Sequence, residues 1–329
     1  GSGNIDTNSR LCMASSVMGH MRAFGSDTVP GTYEDLEQCD LLVLVGSNLA
    51  WCHPVLFQRV KAAKDARPEM TIVVIDPRRT ATAEIADLHL AISADGDTAL
   101  FNGLLSYLLE KDAVDNHYID NYTTGFTAAV TAAGMVNFNE LSQKTGLPIN
   151  LIRKFYDLFV AIPKTVTAFS QGVNQSAQGT DKVSAILNCH LATGRIGKTG
   201  MGPFSITGQP NAMGGREVGG LATQLAAHMK LHDPAHRDLV QEYWKSPAVA
   251  NEPGLKAVDL FKAMSQGQIK VLWILSTNPV VSMPDADFVQ NALRQCEFVV
   301  VSDILSITDT VRHAHVKLPS LGWGEKQGT

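Results

Sequence analysis

The 329-residue chain has five cysteines, Cys12, Cys39, Cys52, Cys189 and Cys296, with no CxxC pair and no cluster among them. An odd, scattered set fits neither a disulfide framework nor a structural zinc site, and suits reduced thiols in the cytoplasm. No apolar run approaches the length of a membrane span, and Gly1-Ser2-Gly3-Asn4 has no signal-peptide character. Charged residues make up only 18% of the chain, the formal net charge is -5 and no basic run occurs, which argues against a nucleic-acid partner. GxGxxG and His-Glu-x-x-His motifs are both missing.

What remains is an apolar, globular chain, 45% hydrophobic and too long for one ordinary core. Short β-branched runs alternate with longer helical patterns, which predicts an α/β fold with parallel sheets covered by helices. Leu41–Val45, Thr71–Ile75, Leu88–Ile92 and Thr165–Phe169 read as strands, and Pro54–Ala66 as a helix. Residues 115–162 read as helical with turns at Gly134 and Gly146, while Gly194–Gly220 reads as irregular. His228–Pro253 carries no clear pattern; the rhythm resumes with strands at Val271–Leu275, Phe298–Val301 and Val316–Pro319 and a helix at Asp285–Gln295. Two α/β halves are expected, 1–205 and 206–329, each a Rossmann-like layer meeting ligand at the carboxyl ends of its strands. A weak echo links residues 41–48 and 271–278, each a strand followed by small polar residues.

The loops after the strands share one chemistry. Gly46-Ser47-Asn48 precedes a helix and can bring backbone N–H groups to a pyrophosphate. Asp76 at the tip of the second strand can accept hydrogen bonds from a ribose or a guanine edge, and Arg78 can pair a phosphate bidentately. Taken singly, a helix cap for Ser47 or Asn48 and a surface ion pair for Arg78 are the plainer alternatives. His228, His232 and His236 have i, i+4 spacing, but the segment is polar, contains Pro234 and has no cysteine nearby, so a solvated surface is favoured over a metal site.

Three stretches carry a family resemblance: Asp6-Thr7-Asn8-Ser9-Arg10-Leu11-Cys12-Met13, Gly208 through Gly219, and Leu318 through Lys326. With them the chain resembles, end to end, the molybdopterin oxidoreductases, and within these the assimilatory and periplasmic nitrate reductases. The resemblance implies the central domains of a dimethyl sulfoxide reductase-type fold, holding molybdenum in two molybdopterin guanine dinucleotides. It makes Cys12 the metal ligand, a soft thiolate for a redox-active metal. It places Gly46, Ser47, Asn48, Asp76, Arg78, Thr80, Asp95, Gly96 and Asp97 along one dinucleotide. Gln175, Gln209, Asn278, Ser302, Asp303 and Lys326 fall at positions of cofactor contact more generally, including the second dinucleotide.

Two positions bear on the substrate. Formate dehydrogenases of this superfamily carry a histidine directly after the metal-binding residue, where it can manage the proton of formate; here Met13, which does no acid–base work, takes that place. Arg216 is the candidate cation for the nitrate oxyanion, with a plain ion pair to Glu217 as the alternative. The expected function is therefore the cofactor-binding portion of a cytoplasmic nitrate reductase. The alternatives are a formate dehydrogenase, or a non-catalytic electron-transfer or scaffold subunit as in respiratory complex I, which would be expected to lose Cys12. The resemblance further implies an excised central segment, inactive alone, with a [4Fe–4S] centre in a region before Cys12. Electrons would come from ferredoxin, flavodoxin or a pyridine-nucleotide-linked reductase.

Overall fold

The computed structural model describes residues 2–209 and 211–327; Gly1 of the opening residues and Pro210 of the Gly-rich motif lie outside them. The chain divides into two compact units, one formed by residues 12–210 and the other by the first eleven residues with those from Asn211 onward. The sequence places the opening residues with the first half. The structure ties them to the second, because Asp6 accepts the Ala222 and Ala257 N–H groups (3.2 and 2.9 Å) and Asn8 accepts the Thr277 hydroxyl at 2.8 Å.

The larger unit is built on five parallel strands, β1 (Leu41–Val45), β2 (Thr71–Ile75), β3 (Leu88–Leu90), β4 (Thr165–Phe169) and β5 (Gly202–Ser205), in the order β3-β2-β1-β4-β5. β1 lies at the centre, in register with Thr71–Ile75 on one side and Thr165–Phe169 on the other. Its five residues are all buried, which is why it reads as an unbroken apolar run. Alternate residues face opposite layers. Leu41, Val43 and Val45 pack with Leu100, Leu104, Phe155 and Ile186 of the helices Asp97–Glu110, Ile149–Ala161 and Gly179–Ala192. Leu42 and Leu44 pack with Leu36, Leu56 and Val60 of Tyr33–Gln38 and Pro54–Ala66. Each such side chain taken fully from water contributes about 1.5–3 kcal/mol.

Three expectations change. β3 stops at Leu90, two residues early. The stretch expected to be irregular contains β5 and a short helix, Ala212–Glu217; β5 begins Gly202-Pro203 and is tolerated as a strand because it forms an edge of the sheet. The unassigned polar segment contains a helix, Pro234–Trp244, which Asp233 caps by accepting Ala235 N–H at 2.9 Å.

The smaller unit holds three parallel strands, β6 (Val271–Leu275), β7 (Phe298–Asp303) and β8 (Val316–Pro319), in the order β6-β7-β8. Ile274, Val299 and Val301 face the helices Ala257–Ser265 and Ala286–Gln295 through Phe261, Met264, Val289 and Leu293. On the opposite face Val271, Trp273, Leu275, Phe298, Val316 and Leu318 are exposed. Among the described residues no helix is long and apolar enough to cross a membrane.

Candidate functional site

In the five-stranded sheet the chain runs outward from β1 through β2 to β3, then crosses to the other side of β1 to form β4 and β5. The switch point falls between β1 and β4, at the carboxyl ends of two neighbouring strands whose following helices cover opposite faces of the sheet, the place where ligands bind in open α/β folds. Gly46, directly after β1, has φ +55°, and its backbone passes so close to Gly172 that a Cβ on Gly46 would stand 2.6 Å from the Gly172 Cα. Glycine is required on both sides of this crossing. Gly46 N–H donates to Ile75 (2.9 Å), Gly172 N–H to Gly46 (3.0 Å) and Ser170 N–H to Val45 (3.2 Å), so the loops are sewn to one another.

Cys12 lies in the first turn of the helix Ser9–Phe24, is 8% exposed, and accepts a hydrogen bond at Sγ from Gln171 Nε2 at 2.8 Å. Gln171 follows Ser170 just after β4, so the sulfur lies at the switch point of this unit. Met13 is buried and its sulfur receives the Asn174 side-chain amide at 3.4 Å.

The polar groups around this edge are incompletely paired. The Ser47 and Thr80 hydroxyls, Thr98 Oγ1, Gln171 Oε1, Gln209 Oε1 and His53 Nδ1 are buried without a hydrogen-bond partner among the described residues. All of them follow the carboxyl ends of β1 to β5. Buried polar atoms are ordinarily paired, so six at one edge mark a surface shaped for a polar ligand. His53 Nε2 reaches the Thr207 carbonyl oxygen (2.6 Å), tying the loop after β1 to that after β5. Asp76 is buried and accepts Arg78 N–H at 2.8 Å, leaving the exposed Arg78 guanidinium with no ion pair among the described residues. Asn48 accepts the Thr82 hydroxyl at 3.2 Å.

Asp95, Gly96 and Asp97 lie where the helix Asp97–Glu110 begins, and both carboxylates meet Lys182 Nζ at 2.9 Å. Hydrogen bonds from Lys182 and Ser176 hold the Asp95 carboxyl below its usual range. Burial disfavours the Lys182 charge, yet the two aspartates outweigh it and raise its pKa. Sequence reasoning missed Lys182. Its signal is a cation in an apolar stripe, with Ile186 and Cys189 at i+4 and i+7 of the same helix. Gln171, the partner of Cys12, was missed as well. Gln175 is exposed beyond the short helix Gln171–Asn174, and Gln209 is half-buried in the loop after β5.

The smaller unit repeats the loop geometry of the larger one. Ser276, directly after β6, has φ +53° and donates its N–H to Ser302 (2.8 Å), as Gly46 does to Ile75. Asn278 then caps Pro279–Ser282 and accepts the Thr310 hydroxyl at 2.6 Å, as Asn48 does with Thr82. Asp303 at the end of β7 accepts Leu305 N–H at 3.1 Å, the counterpart of Asp76 with Arg78. Ser302 Oγ accepts the Trp273 indole N–H at 2.9 Å. Arg216, at the C-terminal end of Ala212–Glu217, is 2% exposed, with its guanidinium against Met213 Sδ and its carbonyl receiving the Gln224 amide at 2.7 Å. Lys326 is exposed beyond β8. Of the three histidines His232 is exposed, and no group of three or more potential metal ligands occurs among the described residues.

Comparison with known proteins follows the same lines. The chain matches the molybdopterin oxidoreductase family over residues 1–329. A nitrate reductase of Klebsiella oxytoca is 52% identical over 329 residues, covering 100% of this chain and 37% of that protein. An F420-dependent formate dehydrogenase subunit alpha of Methanocaldococcus jannaschii is 33% identical, covering 99% of this chain and 47% of its own length. The chain thus spans less than half of the curated relatives it matches. Acetylene hydratase from Pelobacter acetylenicus superposes with a TM-score of 0.71 at 19% identity, over 99% of this chain and 46% of that one, a likeness of fold.

Proposed function

The chain belongs to the molybdopterin oxidoreductase family, and from that premise we propose that it is the cofactor-binding centre of a molybdenum nitrate reductase of the assimilatory type, acting within a longer protein. The observation that carries this reading is the Cys12 sulfur held by Gln171 at the switch point, on the sheet edge whose strand-end loops hold buried polar atoms without partners among the described residues. That donor set fits the group: a soft thiolate for the metal, with hydroxyls, amides and an exposed guanidinium for a phosphorylated, hydrogen-bonding pterin.

When bound, molybdenum between two pterin dithiolenes supplies a two-electron centre that accepts an oxygen atom. Cys12 would anchor the metal. Gly46, Ser47, Asn48, Asp76, Arg78, Thr80 and Asp95-Gly96-Asp97 would hold one guanine dinucleotide: backbone N–H groups and Ser47 on the pyrophosphate, the carboxylates on ribose or guanine, Arg78 on phosphate. Asn278, Ser302 and Asp303, whose loop repeats the first, would serve the second, with Gln175, Gln209 and Lys326 adding contacts. Arg216 would bind and orient nitrate through its fixed pair of N–H donors. Nitrate, two protons and two electrons give nitrite and water, and no side chain need abstract a proton from the substrate. Met13, where formate chemistry would call for a base, accords with that.

The electrons would arrive through a [4Fe–4S] centre outside these residues, from ferredoxin, flavodoxin or an NAD(P)H-linked reductase. The cytoplasm is the proposed location, given the scattered free thiols. The test is to purify the full-length protein carrying this segment, measure its molybdenum, and assay nitrite formation with reduced viologen beside formate oxidation. Nitrite formation without formate oxidation is expected; formate oxidation without nitrite formation overturns the reading.

A further inference from the structure

We propose that Gln171 is a positioning residue for the metal ligand: its side-chain N–H fixes the Cys12 sulfur and moderates how strongly that sulfur donates electrons. The proposal rests on Cys12 as the molybdenum ligand. Gln171 Nε2 lies 2.8 Å from Cys12 Sγ and is the hydrogen-bond donor to that atom among the described residues. Met13, Val17 and Met21 pack in one apolar cluster with Cys12.

The donor arrives on a rigid support. Its two chain neighbours are bonded to the end of β1, Ser170 N–H to Val45 and Gly172 N–H to Gly46, and the Ser170 hydroxyl is bonded to Ile206 at 3.0 Å. Little freedom is therefore left to the backbone from which the carboxamide projects. Gly208 stands beside the bond, where a Cβ would come within 3.2 Å of Gln171 Nε2 and 4.0 Å of Cys12 Sγ, so the site keeps this flank clear. The orientation of the amide follows from charge. Turned over, its oxygen would face the sulfur of the proposed metal-bound thiolate, whereas the N–H would make a charge-assisted bond to it. Gln171 Oε1 has no partner among the described residues, so no competing bond there sets the amide.

A hydrogen bond to a metal-bound thiolate withdraws electron density from the sulfur, weakens its donation and favours the reduced metal. Removing the donor should therefore lower the reduction potential of the centre without removing the ligand.

The experiment uses the full-length, molybdenum-loaded protein and two variants, Gln171→Met, of similar length without a donor, and Gln171→Glu, of similar shape with a charge. The expected result is unchanged molybdenum content, shifted g-values in the Mo(V) electron paramagnetic resonance spectrum, and a downward shift of the Mo(VI)/Mo(V) midpoint, larger for Gln171→Glu. Both variants loaded, with wild-type g-values and midpoint, overturn the proposal and leave the parent reading intact. Should neither variant hold metal, electron–nuclear double resonance on wild-type protein labelled with 15N at the glutamine side-chain nitrogen decides. A coupling between that nitrogen and Mo(V) supports the bond, and its absence overturns it. A wild-type protein without molybdenum overturns the parent reading, and the proposal with it.

Discussion

Lys182 Nζ lies 2.9 Å from Asp97 Oδ2, and both side chains are almost fully withdrawn from water, 3% and 9% exposed. The pair joins the helix Gly179–Ala192 to the first residue of Asp97–Glu110, so it fixes the loop after β3 where Asp95 and Gly96 present their polar groups. A buried ion pair adds little over a well-packed apolar pair, but breaking one side strands a charge. Lys182→Met is expected to lower stability by about 3–5 kcal/mol at pH 7. The more exposed Asp95 adds a pH dependence. Its carboxyl is held below the ordinary value, so its share of stability is present above that value and is lost as pH falls through the folded one. Urea unfolding should show the gap between wild type and Lys182→Met narrowing below about pH 4; a gap constant down to pH 3 would contradict it.

Gly172→Ala places a methyl against the Gly46 backbone, which has no flexible end to move aside. A loss of about 1–3 kcal/mol is expected from the crowding, together with lower molybdenum content in the full-length protein. Unchanged denaturation and full loading would show that the two loops can part at no cost.

His190 is wholly buried, and burial together with the neighbouring Arg195 guanidinium holds its imidazole far below the ordinary value of 6.5. The folded protein therefore leaves it neutral while the unfolded chain takes up a proton below that pH, so stability falls as pH falls. His190→Gln can keep the bond to Thr167 Oγ1, 2.8 Å from His190 Nε2, and removes the titration. Between pH 6 and 5 the wild type should lose roughly 1.4 kcal/mol more per pH unit than the variant. Parallel urea-midpoint curves would refute this.

Cys12→Ser keeps the size of a buried side chain while exchanging the sulfur proposed to hold the metal for a hard oxygen. In the full-length protein the variant is expected to fold and to lose at least about 100-fold in nitrite formation with reduced viologen. Wild-type turnover would remove Cys12 from the metal.

Arg216→Lys retains the charge and loses the planar pair of donors. A drop in kcat/KM for nitrate of about 10²-fold is expected, with molybdenum content unchanged. An unaltered kcat/KM would assign Arg216 to packing among Met213 and its neighbours.

The sheets were open to reading from sequence wherever strands are buried on both faces. β1, β2 and β4 are β-branched and leucine runs whose boundaries coincide with the structure. β5 was hidden because an edge strand can begin Gly202-Pro203, where neither alternation nor propensity helps. Family resemblance singled out Cys12, Asp76 and Asp303, but Gln171 and Lys182 act on partners 159 and 85 to 87 residues away in the chain. The first joins the helix Ser9–Phe24 to the loop after β4 and the second joins two packed helices, pairings that no local pattern encodes. The Asn48–Thr82 and Asn278–Thr310 bonds give the faint echo between residues 41–48 and 271–278 its physical content.

The uncovered side of β6-β7-β8 has a practical outcome for anyone handling these 329 residues by themselves. Parallel strands seldom leave an oily flank to water, and here an indole, a phenyl ring and several aliphatic groups share one, on a sheet bordered by an outermost strand exposed along its length. Material purified in that form should bind fluorescent apolar dyes and clump as its concentration rises. Charged replacements such as Leu275→Lys or Leu318→Glu should quiet both behaviours without disturbing the five-stranded half of the molecule.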